Sequence, residues 1–400
     1  MEKECSSCLN VEVFDTLLQK PIRIASNGRC NQCQNWETDS KAFYEYRKAA
    51  KEQLPKIFEK VKNENHEYDA LVCLSGGKDS SAALILAQEK YHLKTLAFTA
   101  DKGTFYKGVK QSIDELTDRL GVDHVFVKAP KPLMNRVFRF GISTLSTGGI
   151  QCKLCGGLAH VPIQSRVLLK YDIPIVITGL DLWEIYGGYT IEVNRKNKLI
   201  NPFLYTFPSL KARWNNYQGT IGDCLAFLER FSKGNELLTL KEEFMQLVTE
   251  LITRYGLSPE ELEALGNLDF YDIGLPAIEI SSKKQQLHLL EEHGWTPPKD
   301  MFTGELVGTD CRIGGVVNAI TSYKQKRKMW SYRIRTGLVT KEEAIEEITK
   351  ESPNIDRICQ TLREIGIDRL ENRLIGGWGN KRFGDLYDSE VINLVNAQIA

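Results

Sequence analysis

Residues 70–80 read Ala-Leu-Val-Cys-Leu-Ser-Gly-Gly-Lys-Asp-Ser, an apolar run that passes directly into a short glycine-rich turn. Helix-like spacing of apolar residues begins immediately afterwards, at about Ser81. A strand that ends in small residues and turns at once into a helix directs several backbone N–H groups and the positive end of the helix dipole at one point. The sequence therefore predicts an anion-binding loop, with a phosphate group as its ligand.

The side chains of this turn suit a nucleotide with a bound cation. Glycines at 76 and 77 remove the side chains that would block a phosphate, and Asp79 is placed to hold Mg²⁺ against pyrophosphate. The pattern differs from the kinase-type loop, because Asp79 stands where Ser or Thr would follow the lysine. The predicted phosphate-binding residues are Ser75, Gly76, Gly77, Lys78, Asp79 and Ser80.

Alternation of short apolar runs with helical periodicity extends from about residue 68 to 200. This pattern predicts an α/β fold in which a parallel sheet has helices on both faces and binds its ligands at the carboxyl ends of the strands. The predicted strands are 70–74, 95–99, 124–127 and 173–178, and the predicted helices are 80–91, 108–120 and 158–171.

Four regions are predicted along the chain. Residues 1–40 form a small metal-binding module, 41–203 the nucleotide-binding domain, 204–345 a mainly helical substrate region that carries Cys311, and 346–400 a helical tail. An amphipathic connecting helix is expected from an N-cap at Ser40 to about Asn63. Helix starts are also expected at 258–261 and 340–343, whereas 301–323, with Gly304, Gly308, Gly314 and Gly315, reads as a loop-rich segment.

Two Cys-x-x-Cys pairs, Cys5/Cys8 and Cys30/Cys33, lie in the first region. Four thiolates suit tetrahedral Zn²⁺ with no open position, so this site is expected to be structural. The alternative is four unligated thiols on an amino-terminal segment that has little core of its own.

A second set of cysteines comprises Cys152, Cys155 and Cys311. The predicted topology places the first two near the carboxyl edge of the sheet, and a loop could bring Cys311 over the same cleft. Three thiolates leave a metal position free, as a [4Fe-4S] cluster that binds an extra sulfur would require. A second zinc, buried thiols, or a redox pair with a persulfide carrier remain alternatives, while Cys73, Cys224 and Cys359 read as core residues.

The charge of the chain is balanced overall. Lys plus Arg and Asp plus Glu both number 52, so the protein lacks the overall positive charge that would indicate a nucleic-acid ligand. The start of the chain lacks the apolar core of a signal peptide, and no run approaches the roughly 18–20 apolar residues that span a bilayer. We therefore expect a cytoplasmic protein without membrane contact, in which ten cysteines are unlikely to form disulfides.

The stretch Ser-Gly-Gly-Lys-Asp-Ser at 75–80 resembles the PP-loop of the adenine nucleotide α-hydrolase-like superfamily. Its members, among them tRNA thiolases, lysidine and GMP synthetases and sugar amidotransferases, form an adenylate and release pyrophosphate. The resemblance implies ATP and Mg²⁺ as cofactors. It also implies that Ala97, Phe98 and Thr99 line the adenine pocket through their backbone and that Gly179 contacts ATP.

Beyond this loop, much of residues 1–350 resembles the N-acetyl sugar amidotransferases of that superfamily. The stretches on which this resemblance rests are residues 5–8 with 27–33, 152–155 leading into 173–175, 184–188, and 332–337 followed by 340–344. That branch implies replacement of an acetamido oxygen by ammonia from a partner glutaminase. Cys311 departs from this pattern, and a Cys-x-x-Cys with one distant cysteine resembles the cluster-binding tRNA thiolases, which insert sulfur.

We predict sulfur insertion from an iron–sulfur cluster, with amidation as the alternative. The expected partners are a small-molecule or sugar substrate or a tRNA, together with a sulfur donor or a glutaminase; a homodimer is compatible with the sequence. Asp181, Glu184 and His160 are candidates for proton transfer or substrate contact, or else surface or capping residues. The basic run 324–328 reads as a phosphate-binding patch or a solvated helix face. A nucleotide-binding regulatory or scaffold protein without turnover is the alternative of another class.

Overall fold

The structure is a computed structural model whose description covers most of the 400 residues. The described residues are 3–12, 22–143, 150–187, 203–207, 221–222, 224–226, 228–229, 232, 234–268, 270–297, 311–350, 353–370 and 387–399. Within them, no helix is both long and apolar enough to cross a membrane.

Six strands form one sheet with the order β3-β2-β1-β4-β6-β5. The strands are β1 (Ala70–Cys73), β2 (Thr95–Asp101), β3 (Asp123–Lys128), β4 (Ile175–Thr178), β5 (Leu204–Phe207) and β6 (Phe270–Gly274). All neighbouring pairs are parallel except β5 with β6, which is antiparallel. The α/β fold with a mainly parallel sheet is therefore confirmed.

Helices connect the strands and continue beyond the sheet. They are α1 (Asn31–Asn63), α2 (Lys78–Ile85), α3 (Lys107–Leu120), α4 (Lys131–Ser143), α5 (Ile150–Lys153), α6 (Val161–Tyr171), α7 (Leu182–Gly187), α8 (Gly234–Tyr255), α9 (Pro259–Asn267), α10 (Leu275–Glu279), α11 (Lys283–Glu292), α12 (Arg312–Ile320), α13 (Tyr323–Arg335), α14 (Lys341–Lys350), α15 (Ile355–Glu364) and α16 (Ser389–Ile399). Two π-helical segments, Leu86–Lys90 and Leu154–His160, follow α2 and α5.

The central strands lie in the core. Ala70, Leu71 and Val72 of β1 are fully buried, as are Ile175, Val176 and Ile177 of β4. Near-continuous apolar runs of this kind are typical of parallel strands that are covered on both faces. Because β1 and β4 are neighbours, the turns that follow them, at 74–77 and 179–181, lie side by side at the carboxyl edge of the sheet.

The connecting helix begins ten residues earlier than the sequence predicts, so the N-cap assigned to Ser40 is wrong. The N-cap is Cys30, whose side chain accepts a hydrogen bond from the backbone N–H of Cys33. The second Cys-x-x-Cys pair thus supplies both the cap and the first turn of α1. Helical periodicity alone does not reveal this, because the first turns of α1 carry few apolar residues.

Two further differences concern the second half of the chain. Strand β6 lies inside the segment predicted to be mainly helical, and both β5 and β6 extend the sheet beyond residue 203. The predicted loop segment contains α12, in which Gly314 and Gly315 are helical and Ile313 and Val316 are buried. Gly304 and Gly308 lie outside the described residues. Tertiary packing here overrides the weak helix propensity of glycine.

Candidate functional site

The phosphate loop follows β1 and ends at the first residue of α2. Gly76 has φ of +79°, in the left-handed region, and a Cβ atom there would lie 2.8 Å from side-chain carbons of both Val109 and Ile113. Gly77 is the N-cap of α2 and, because glycine has no side chain, no side-chain cap occupies the end of the helix. The N–H groups of the first turn therefore remain directed at the loop, which is the geometry that an anion requires.

Ser80 closes the loop from inside. Its hydroxyl donates to the carbonyl of Gly77 at 3.1 Å and accepts from the backbone N–H of Ser75 at 3.1 Å. The hydroxyl groups of Ser75 and Ser80 are 3.0 Å apart. Ser80 therefore stabilises the conformation of the turn, while the hydroxyl of Ser75 lies at the rim of the loop, where it can contact a ligand.

Asp79 lies between two ammonium groups. Its Oδ2 accepts from Nζ of Lys78 at 2.9 Å, and its Oδ1 accepts from Nζ of Lys283 at 3.1 Å and from Nε2 of Gln286 at 2.7 Å. Desolvation by itself raises the pKa of the Asp79 carboxyl, but the charges of Lys78 and Lys283 outweigh it, so the pKa lies below its usual range. Asp79 is therefore an ionised carboxylate at the mouth of the loop, as a cation ligand must be.

Lys283 joins this loop to the turn after β4. Its Nζ donates to Oδ2 of Asp181 at 2.8 Å as well as to Asp79, and the residue is only 3 % exposed. Desolvation lowers the pKa of Lys283, but the two carboxylates raise it more, so the ammonium form persists. The carboxyl edge of the sheet thus carries a buried network of alternating charges.

Asp181 and Glu184 cap α7 reciprocally. Oδ1 of Asp181 accepts from the backbone N–H groups of Trp183 and Glu184, and Oε2 of Glu184 accepts from the N–H of Asp181 at 3.0 Å. This is a capping box with acidic residues in both positions. The capping role is confirmed for both residues, and it fixes their carboxylates beside Asp79.

The carboxyl of Glu184 titrates near neutrality. Desolvation and the negative charges of Asp181 and Asp79 raise its pKa to about 7. A carboxyl that gains or loses a proton near neutral pH can act as an acid or base, or as a cation ligand that is active only at higher pH.

A pH dependence of stability follows from this shift. Because the folded pKa exceeds the ordinary value of 4.5, the folded state binds more protons between these values, and its stability falls as the pH rises from 4.5 through 7. We expect Glu184→Gln to gain about 2 kcal/mol over the wild type between pH 5 and pH 8 in the free energy of unfolding by urea. A difference between the two proteins that is the same at both pH values would contradict this assignment.

Gly179 lies where the turn after β4 meets the start of α2. A Cβ atom there would approach the backbone N of Ser80 to 2.7 Å and the carbonyl carbon of Asp79 to 2.8 Å. Because backbone atoms cannot move aside as a flexible side chain does, glycine is required at this contact.

Gly179→Ala is therefore expected to displace the phosphate loop, to lower the free energy of unfolding by about 1–3 kcal/mol and to weaken ATP binding at least tenfold. The matched control is Gly266→Ala in α9, where a Cβ atom meets no atom within 4 Å and helix propensity favours alanine. Urea unfolding and isothermal titration with ATP check both variants. Equal ATP affinity in the two would show that the contact does not shape the loop.

The predicted adenine-pocket residues lie in the middle of the sheet. Ala97, Phe98 and Thr99 are buried in β2, and the carbonyl of Phe98 accepts from the N–H of Leu74. The hydroxyl of Thr99 donates to the carbonyl of Leu74 at 2.6 Å. Strand β2 continues to Asp101, past the last residue that pairs with β1, so its final residues border the loop.

The second cysteine set converges on the turn that follows β2. Cys152 lies in α5, Cys155 lies in the π-helical segment after it, and Cys311 pairs with Phe105 in an antiparallel bridge. Sγ of Cys311 is 3.4 Å from Oγ1 of Thr104.

Two of these thiols are perturbed by their common surroundings. Desolvation, with a smaller contribution from Cys311, raises the pKa of Cys152 to about 12 and that of Cys155 to about 11, although Lys102 acts to lower both. All three cysteines therefore lie near the turn that follows β2, but among the described residues they do not form a group whose sulfur atoms all lie within 4.8 Å of one another. Their role as cluster ligands stays a prediction.

The first cysteine set forms a compact group. Within the described residues, the His, Cys, Asp and Glu side chains form one group whose ligand atoms all lie within 4.8 Å of one another, namely Cys5, Cys8, Cys30 and Cys33. Tetrahedral thiolates at ~2.3 Å from zinc stand about 3.8 Å apart. The observed Sγ separations are 3.9 Å for Cys5–Cys33 and 3.8 Å for Cys8–Cys30. The four residues therefore fit a single tetrahedral ion.

Backbone and amide N–H groups surround these sulfurs. Asn10 donates from its backbone to Cys8 and from Nδ2 to Cys30, and the N–H of Cys30 donates to Sγ of Cys5. Hydrogen bonds between the thiols themselves lower the pKa of Cys5 and Cys30 and raise that of Cys8 and Cys33, as a set that shares protons must do. Donors of this kind stabilise thiolates, which is the state that binds a metal.

Sequence reasoning missed Lys283 and Gln286. They read as polar positions on an amphipathic helix, and their position 204 and 207 residues from Asp79 leaves no local signal. His160 is partly buried and packs against Phe98, with ring centroids 5.4 Å apart. In the basic run, Arg327 donates to the carbonyl of Leu9 and Lys328 is buried, so neither belongs to a solvated face.

No protein-family model matches the chain, and no curated protein sequence matches it. Among solved structures, it is similar to the NMN synthetase of Francisella tularensis, with 18 % identity over 54 % of this chain and 97 % of that one, and a TM-score of 0.26. The NH3-dependent NAD synthetase of Campylobacter jejuni is 16 % identical over 64 % and 97 %, with a TM-score of 0.26.

A third similar structure is the U34-tRNA thiolase NcsA of Methanococcus maripaludis with its [4Fe-4S] cluster. It is 15 % identical over 77 % of this chain and 94 % of that one, with a TM-score of 0.28. Similarities of this strength carry no argument about activity, so the functional argument depends on the site itself.

Proposed function

We propose that this chain is an ATP-dependent adenylating enzyme that cleaves ATP between the α and β phosphates and then replaces the activated substrate oxygen with sulfur. The observation that carries the proposal is the ionised Asp79, held by Lys78 and Lys283 at the mouth of the glycine loop. Three cysteines face the next turn along the same sheet edge.

In the first half-reaction, an oxygen of the substrate attacks the α-phosphorus and pyrophosphate leaves. The N-terminus of α2 and the ammonium groups of Lys78 and Lys283 offset the charge that develops on the pyrophosphate. Asp79, with the carboxylate of Glu184 nearby, would hold Mg²⁺, which supplies further charge neutralisation to the leaving group. Gly76 lets the loop pack against α3, and Gly179 lets the turn after β4 approach the backbone at the start of α2.

In the second half-reaction, a nucleophile attacks the activated carbon, and AMP leaves with the former substrate oxygen. Cys152, Cys155 and Cys311 would hold an iron–sulfur cluster, which supplies an open position for an additional sulfide. With sulfide as the nucleophile the product is a thiolated substrate; with ammonia from a glutaminase it is an amidine. The three cysteines have a function in the first case, which is why we propose sulfur insertion.

Four further assignments belong to this proposal. Cys5, Cys8, Cys30 and Cys33 hold Zn²⁺, and Ala97, Phe98 and Thr99 border the adenine. The regions are those given by the sequence, except that α1 runs on from the metal-binding module and β5 and β6 join the sheet of the nucleotide-binding domain. The acceptor is a small molecule, a sugar or a tRNA.

The nucleophile is tested with anaerobically purified protein that has been reconstituted with iron and sulfide. ATP, Mg²⁺ and either bulk tRNA or an N-acetyl sugar nucleotide are supplied with sulfide or with ammonium, and the acceptor is analysed by mass spectrometry. We expect a mass gain of one sulfur minus one oxygen, formed together with AMP. A product that appears with ammonium but not with sulfide would refute sulfur insertion in favour of amidation. Nucleotide binding without any AMP would refute both reactions.

A further inference from the structure

Arg335, the last residue of α13, contacts the four-cysteine group. Its Nη1 is 3.7 Å from Sγ of Cys8 and 3.8 Å from Sγ of Cys33, and its Nη2 donates to Oε1 of Gln32 at 3.1 Å. The residue is 7 % exposed. A buried guanidinium therefore points directly at two of the four sulfurs.

Burial of a guanidinium is costly unless a negative charge is close to it. A divalent ion with four thiolates is a dianion, and Cys8 and Cys33 bring that charge next to Arg335. Without the ion, no metal holds the four sulfurs together beside the guanidinium, because a site of this kind is rarely preformed in the absence of its metal. The position of Arg335 is therefore coupled to the presence of the metal.

The other side of Arg335 faces aromatic rings. Its guanidinium carbon lies 4.7 Å from the ring centroid of Tyr332 and 5.9 Å from that of Tyr186. Tyr186 also packs against Trp36, with centroids 4.3 Å apart, and Trp36 follows Cys33 by three residues in α1. Tyr186 is thus linked to the cysteine group both through Arg335 and through Trp36.

Tyr186 belongs to α7, the helix whose cap is built from Asp181 and Glu184. Asp181 in turn binds Lys283, which binds Asp79 of the phosphate loop. A second arginine of α13, Arg333, lies over the ring of Trp183 at 4.7 Å. The orientation of α7 therefore sets where the carboxylates stand relative to the loop.

We propose that the four-cysteine metal centre is a positioning element of the nucleotide site: it anchors Arg335, which together with Trp36 fixes Tyr186 and so orients α7 with Asp181 and Glu184. The importance of this orientation for catalysis rests on the function proposed above. The contacts between Arg335, Tyr186 and α7 do not depend on that function, since they are present in the protein without nucleotide. Arg335 is in this view a positioning residue.

The test compares Arg335→Met with Arg327→Met, since both arginines lie in α13 and both bind the amino-terminal module. Arg327 donates to the carbonyl of Leu9 and to Glu4 and is not among the contacts of the sulfurs, so it is the matched control. Amide hydrogen exchange is measured without nucleotide on peptides that cover 181–187, with the peptide of α3 as the internal reference and with excess zinc present.

We expect the amides of α7 to exchange about tenfold faster in Arg335→Met, with α3 unchanged, and the wild type to show the same change after chelation of its metal. Arg335→Lys, which keeps a cation near the sulfurs but loses the planar contact with the rings, should lie between. The Kd of the α,β-methylene analogue of ATP with Mg²⁺ should rise in parallel. Wild-type exchange of α7 in zinc-loaded Arg335→Met, or in the chelated wild type, would overturn the proposal. Because hydrogen exchange is measured without turnover, its result tests the positioning role independently of the proposed reaction.

Discussion

Replacement of Asp79 by Asn is expected to lower the rate of pyrophosphate release from ATP by about a thousandfold. The carboxylate is ionised and stands between Lys78 and Lys283 at the mouth of the loop. Asparagine keeps the size of the side chain and can still accept from Gln286, but it cannot neutralise the two lysines or hold Mg²⁺ beside the phosphates.

Loss of this charge also removes the carboxylate partner of the buried ammonium group of Lys78 and leaves Lys283 with Asp181 alone, so the free energy of unfolding should fall by about 2 kcal/mol. The control is Glu89→Gln, which removes an exposed carboxylate in the π-helical segment after α2 and should change neither quantity. Coupled pyrophosphate assays and urea unfolding check both variants. Wild-type pyrophosphate release by folded Asp79→Asn would remove Asp79 from the proposed mechanism.

Cys311→Ala is expected to separate the two half-reactions. If Cys311 ligates a cluster with Cys152 and Cys155, its loss should reduce sulfur incorporation by about a hundredfold or more, together with the bound iron. The pyrophosphate released in the first turnover should remain within about threefold of the wild type, because this step precedes the attack by sulfur and the phosphate loop is shaped by contacts of Ser80 and Lys283.

Cys359→Ala is the matched control for this variant. Cys359 is fully buried in α15, and its thiol donates to the carbonyl of Val395, so the substitution should cost some stability and leave the iron content unchanged. Iron and acid-labile sulfide are assayed on anaerobic protein. Full iron content and full sulfur incorporation in Cys311→Ala would show that the cysteine has no part in the reaction.

The phosphate loop and the first cysteine set were accessible from sequence because each is a local pattern. Residues 70–80 contain strand, turn and helix start within one short stretch, and the pairs Cys5/Cys8 and Cys30/Cys33 have ligand spacing that brings them together in the structure. The helix start predicted at 258–261 and the capping box predicted at 340–343 are confirmed for the same reason.

Features that depend on distant contacts were not accessible. Lys283 reaches Asp79 across more than two hundred residues, and nothing in the surrounding lysines and glutamines marks it. Strand β6 carries Asp272 within a short run and is recognisable only once β4 and β5 lie beside it. Arg335 reads as a basic residue at the end of a helix, and its contact with two sulfurs follows from the folded chain alone.

The central claim, cleavage of ATP between the α and β phosphates, is tested most directly by ³¹P NMR of the products. The protein is incubated with ATP, Mg²⁺ and either bulk tRNA or an N-acetyl sugar nucleotide, each with sulfide, and the spectrum is compared with that of Asp79→Asn. We predict signals of AMP and inorganic pyrophosphate in equal amounts, which the variant does not produce. Signals of ADP and inorganic phosphate in their place would contradict the adenylation mechanism.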